Sequence, residues 1–186
     1  MTKLVKMVKV LIMSIIVTIM ITPAMNSQAR SAVRVNDYKV NEFVSEYNKI
    51  ARNTQFIYNL MINENPHYDD SMSDSIYNVY DVFCGSEGHG SIIVMFANKE
   101  GHVSKVSLIF GYQDEISAVS ASTINVILFQ TLGFNQEEIM SLSNTISNSP
   151  QNNNFIFWCM AIKRYIHVDK VYQSNGLLRI DMSAEA

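Results

Sequence analysis

Ile92-Ile93-Val94-Met95-Phe96-Ala97-Asn98-Lys99-Glu100-Gly101-His102-Val103-Ser104-Lys105-Val106-Ser107-Leu108-Ile109-Phe110 is the stretch that decides the fold. Its first six residues are apolar without interruption. That is the pattern of a strand covered on both faces, and it predicts a central strand. Asn98-Lys99-Glu100-Gly101 is a turn. The chain then returns with Val106, Leu108 and Phe110 on one face and Lys105 and Ser107 on the other. This alternation fits a sheet with one face in water.

Working outward, residues 76–84 are rich in aromatic and β-branched side chains and predict a third strand. Residues 63–74, with Pro66, Asp69, Asp70 and Ser71, read as a loop. Residues 56–62 fit either a strand or a resumed helix. Upstream, Phe43, Val44, Tyr47, Ile50 and Ala51 form one apolar stripe, so a helix is expected over 38–51, capped by Asp37 or Asn41. After the hairpin, Asp114 is a candidate cap for a helix ending at Leu132, with Gly133 as its stop. Asn135 with Glu138 three residues later starts a shorter helix that buries Ile139, Leu142 and Ile146.

Residues 147–154 are a polar loop, and residues 155–162 look too apolar to face water on either side. Another strand is expected over 165–172. Asn175-Gly176 is a tight hairpin signal. Leu178, Ile180 and Met182 then alternate with Arg179 and Asp181. The order implies one α+β domain over residues 30–186: a mostly antiparallel sheet with helices packed on one face.

Residues 1–29 have the three parts of a cleavable secretory signal. Lys3, Lys6 and Lys9 precede an apolar run of 12 residues, 10 through 21. Pro23 follows, and Ser27-Gln28-Ala29 offers small side chains for cleavage. The run falls short of the roughly 20 residues that span a bilayer. The expectation is an exported protein, periplasmic or secreted, with no stable membrane insertion after cleavage. The chain has 14 Lys and Arg and 17 Asp and Glu, and residues 1–29 hold three of the former and none of the latter. The remainder carries 11 minus 17, or -6, which argues against nucleic acid as a partner.

Export also suggests that Cys84 and Cys159 are joined as a disulfide, setting the strand that ends at Cys84 beside the strand containing Cys159. Chemical motifs are scarce. Glu64, His67, Asp69, Asp70 and Asp74 crowd one loop but lack calcium-loop spacing, and read as a solvated acidic loop. His89 and His102 can approach only across a hairpin, and two histidines make a poor zinc site. Gly85-Ser86-Glu87-Gly88-His89-Gly90 joins two strands and reads as a turn rather than a phosphate loop. Paired carboxylates remain conceivable, such as Asp81 with Asp114 or Glu115. No cofactor is implied.

Aromatic side chains are the suggestive feature. Tyr77, Tyr80, Tyr165 and Tyr172 are the candidate interaction surface on an outer sheet face, weighed against ordinary cross-strand packing. The reading is a small exported protein that binds a protein or peptide. The alternatives are a hydrolase whose site is assembled from distant residues and a carrier of a small apolar ligand.

Overall fold

Val94 and Met95, adjacent in sequence and on opposite faces of their strand, are both buried. The strand predicted to be central therefore is. The computed structural model describes residues 37–184, apart from 55, 57–58, 87–88, 112–113, 150–151, 161–162 and 174–176. Residues 1–29, the expected signal, and Asn175-Gly176 lie outside the described residues. Among those described, the elements are α1 (Val40–Asn53), β1 (His67–Asp69), β2 (Asn78–Cys84), β3 (Ser91–Ala97), β4 (Val103–Gly111), α2 (Glu115–Thr131), α3 (Gln136–Asn148), β5 (Asn153–Cys159), β6 (Arg164–Tyr172) and β7 (Leu177–Ala184).

They form one α+β domain, a seven-stranded sheet in the order β1-β2-β3-β4-β7-β6-β5 with the helices on one face. Every pairing is antiparallel. Two meanders meet at β4 and β7. On the covered face, Val106 stands opposite Met182, Leu108 opposite Ile180 and Phe110 opposite Leu178. All six are buried, so hydrophobic burial holds this long-range seam.

The helices follow their sequence signals closely. In α3, the Asn135 side chain accepts from the Glu138 N–H at 3.0 Å, and the Asn135 N–H donates to Glu138 Oε2 at 2.8 Å. That reciprocal pair is a capping box. Ile139, Leu142 and Ile146 are its buried residues, as expected. At its far end the buried Lys170 donates to the Ile146 carbonyl at 2.7 Å, and burial lowers the lysine's pKa. A cation there complements the negative end of a helix. The α2 cap is Asp114, which accepts from the Ser117 N–H at 2.7 Å, and Gly133 follows the helix at φ 99°. At α1 neither expected cap is used. The cap position is Lys39, and its N–H is taken by Glu42 at 2.9 Å.

Three expectations need correction. The loop over 63–74 contains β1, a three-residue edge strand too short to leave a periodic signal. The apolar segment after the polar loop is not buried on both faces. Because β7 docks on β4, β5 is left at the edge of the sheet. Third, Cys84 and Cys159 are not joined; both are free and buried. Their strands are second and seventh in the sheet order, so they do not lie side by side. Five inter-strand steps of about 4.8 Å put them on the order of 24 Å apart, whereas a disulfide needs Cα atoms within about 7 Å. Burial instead pushes the Cys84 thiol up to about 12.

Candidate functional site

The four tyrosines do not converge. Tyr77 sits just before β2, its ring edge-on to Phe96 at 6.1 Å on the open face. Tyr80 pairs with Met95 on the covered face, where it packs against the core beside Tyr68. Tyr172 is likewise partly buried against the core, below the Lys170 ammonium. Only Tyr165 is largely exposed, at 50%.

Tyr165 belongs to a patch that its own spacing did not reveal. Trp158 lies opposite it on β5, ring to ring at 4.9 Å. Ile156, Trp158 and Met160 are 62%, 44% and 64% exposed. The Trp158 indole N–H donates to Met160 Sδ at 3.1 Å. Strand alternation explains the arrangement. Phe155 and Phe157 pair with Val168 and Ile166 and turn to the core, so Ile156 and Trp158 must turn to the open face.

The same alternation sets the backbone. On an edge strand, successive residues point their N–H and C=O groups toward the neighbour and away from it in turn. The Asn154 N–H is taken by the Asn153 side chain at 3.0 Å and the Met160 N–H by Glu138 Oε1 at 2.6 Å, so neither serves β6. Asn154, Ile156, Trp158 and Met160 therefore share the outward phase. The N–H groups at both ends of the outward row are capped, and among the described residues nothing pairs with the outward groups of Ile156 and Trp158, which leaves a window there. Glu138 shapes that window: one carboxylate closes the α3 cap and the end of β5 together.

A signal for this site exists in the sequence. No charged residue occurs from Ile139 to Ile162. Edge strands are ordinarily protected by charge or proline, and β5, which carries neither, reads as an unguarded edge once its position is known.

The polar clusters have structural work. Asp69 Oδ1 accepts from the Ser71 N–H and hydroxyl and the Met72 N–H, while Asp74 Oδ1 accepts from the Ile76 and Tyr77 N–H groups. These bonds lower both carboxyl pKa values, led by the Ser71 hydroxyl for Asp69 and the Tyr77 N–H for Asp74. Among the described residues no three His, Cys, Asp or Glu side chains gather as a metal site. His89 lies at one end of β3 and His102 at the other, so the strand separates them. Asp81 is on the open face, 2.9 Å from His67 Nδ1, whereas Asp114 caps α2 on the covered side.

His89, Asp114 and Ser117 resemble a catalytic triad by composition but not by geometry. His89 Nδ1 is 3.2 Å from Ser117 Oγ and 3.8 Å from Asp114 Oδ1. One ring nitrogen thus faces both partners, whereas a triad needs one for each. The Ser117 backbone N–H, then its hydroxyl, lower the Asp114 pKa, which makes this a helix cap.

An open-face groove of about 400 Å³ is lined by Asn152, Asn154, Asp169, Arg179 and Asp181 among others. Asp169 lies opposite Asp181. Asp181 Oδ2 is 3.5 Å from Lys105 Nζ and 3.1 Å from Arg179 Nε. Asp181 is only 5% exposed and its Oδ1 is out of reach of water, so the groove offers one accessible carboxylate, Asp169, rather than an acid–base pair. Among the described residues no helix is long and apolar enough to cross a membrane. No protein-family model, no curated protein and no solved structure matches the chain.

Proposed function

We propose that the chain is an exported interaction protein that binds a polypeptide along β5. One observation carries the reading: an edge strand with an open backbone window and exposed Ile156, Trp158, Met160 and Tyr165 beside it. A polypeptide in extended form satisfies both features at once. Its backbone supplies the missing hydrogen bonds, and its alternate side chains meet the apolar patch. Tryptophan and tyrosine suit such a surface because each combines a large apolar area with a polar tip.

Affinity capture from the producing cells tests the reading, comparing the native protein with Ile156→Lys. Lysine at an edge strand is a common guard against pairing. The expected result is at least one protein, a second copy included, held by the native chain and lost by the variant. Equal retention by both would contradict the role of β5.

A further inference from the structure

Resting on that reading, we infer that the strand β5 takes up is β5 of a second copy, paired antiparallel about a two-fold axis at Phe157. The argument begins with the window. The uncapped outward groups are those of Ile156 and Trp158, two residues apart, and both caps stay in place only if pairing uses these two alone. A two-fold at Phe157 places Ile156 of each copy opposite Trp158 of the other. The pair exchanges both N–H···O bonds, and symmetry repeats it, so four backbone bonds form without disturbing either cap.

The side chains fit the same axis. Ile156 and Trp158 are exposed on one face, and the two-fold sets each against the other as an aromatic–aliphatic cross-strand pair, twice. A shift of the axis to Ile156 would instead set Trp158 against Asn154 and displace the Asn153 side chain from the Asn154 N–H. Charge offers little obstacle: residues 139–162 carry none, and the Glu138 carboxylate at the Met160 N–H faces the uncharged Asn154 end of the other copy. The other edge is an unsuitable mate. β1 has three residues, includes His67 and Asp69, and follows Pro66. Pairing β5 with itself closes the assembly at two copies. The two sheets join into one of fourteen strands, twice the seven of each copy.

Sedimentation velocity of the native chain over a range of concentrations tests self-association, beside Ile156→Lys and a Tyr68→Lys control on the opposite edge. A reversible dimer is expected for the native chain and for Tyr68→Lys. Ile156→Lys should raise the dissociation constant at least about tenfold, with an unchanged circular dichroism spectrum for the monomer. The axis is tested with Phe157→Cys. The two introduced thiols would face each other in a non-hydrogen-bonded pair, about 4.5 Å between Cα atoms, and should oxidise to an intermolecular disulfide. Ile156→Cys faces Trp158 and should not. A native chain that stays monomeric at every concentration, or a dimer insensitive to Ile156→Lys, overturns the inference. If the chain is monomeric yet capture yields a different protein lost with Ile156→Lys, self-pairing falls and the binding role of β5 stands.

Discussion

The two edges of this sheet are treated in opposite ways. At the β1 edge every exposed stretch of β2 is covered. His67–Asp69 pairs with residues 79–81, Glu64 Oε1 takes the Phe83 N–H at 2.8 Å, and Ile62 bridges Cys84. The Asn48 amide then holds Ile62 through both its N–H and its carbonyl, at 2.8 Å each. The strand itself is short, preceded by proline and paired to Asp81 through His67. At the β5 edge seven residues run uncharged, capped only at their ends. An edge that can be guarded this thoroughly on one side and is left open on the other is informative about function.

The largest effect on stability should come from Glu138, which serves two elements. Glu138→Ala removes a helix cap and an acceptor for the Met160 N–H, and should cost about 2–3 kcal/mol in denaturant unfolding. It also frees the outward Met160 N–H, so association through β5 should not weaken. A loss within about 0.5 kcal/mol would show that β5 is not anchored by α3.

Counted per pH unit, alkaline titration is next in size, and it probes the ground beneath the guarded edge. The folded Cys84 pKa lies near 12, against an ordinary value of 9.0. Burial raises it and that of Tyr47, whose hydroxyl donates to the Leu60 carbonyl at 3.1 Å. Raised acids keep their protons in the folded state and release them on unfolding. Their contribution is complete below about pH 9 and is lost as pH rises toward 12. Cys84 alone should lower stability by about 1.4 kcal/mol per pH unit over that window. Lys170 acts in the opposite direction, since burial favours its neutral form. Cys84→Ser should flatten the slope, and an unchanged slope would contradict the buried thiol. Without reductant, thiol counting should find two reactive cysteines on unfolding, and none would restore the disulfide.

The smallest effect is expected at His67. Its contact with Asp81 is largely exposed, so His67→Ala should change stability by less than about 1 kcal/mol. A larger loss would mean that β1 is held chiefly by this pair.

What the sequence reveals follows the range of the interactions. The α3 capping box, the α1 stripe and the β3–β4 hairpin rest on residues a few positions apart, and all were legible. The β4–β7 seam joins positions 66 to 78 residues apart, and nothing local distinguishes it from a β2–β5 seam. The expected disulfide failed for that reason. Compartment argues that thiols can oxidise but says nothing about which strands are neighbours. The expectation for residues 155–162 fails over the described part because apolar side chains on both faces usually mean burial on both faces. Here Phe155 and Phe157 obey that rule, while Ile156 and Trp158 do not. The tyrosines follow the same logic: Tyr80 and Tyr172 pack against the core, the alternative set against an outer surface in the sequence. The exposed patch was visible only once β5 had been placed at the edge.

Amide hydrogen exchange at Trp158, resolved by residue, tests the claim about β5 most directly. Phe155 and Phe157 point their N–H groups toward β6 by alternation and should be protected whether or not anything is bound. The Trp158 N–H points away from the sheet. At concentrations where the native chain is assembled, it should be protected to a similar degree as Phe157, and in Ile156→Lys it should exchange like an unpaired edge amide. Equally rapid exchange at Trp158 in both proteins would contradict strand addition at β5.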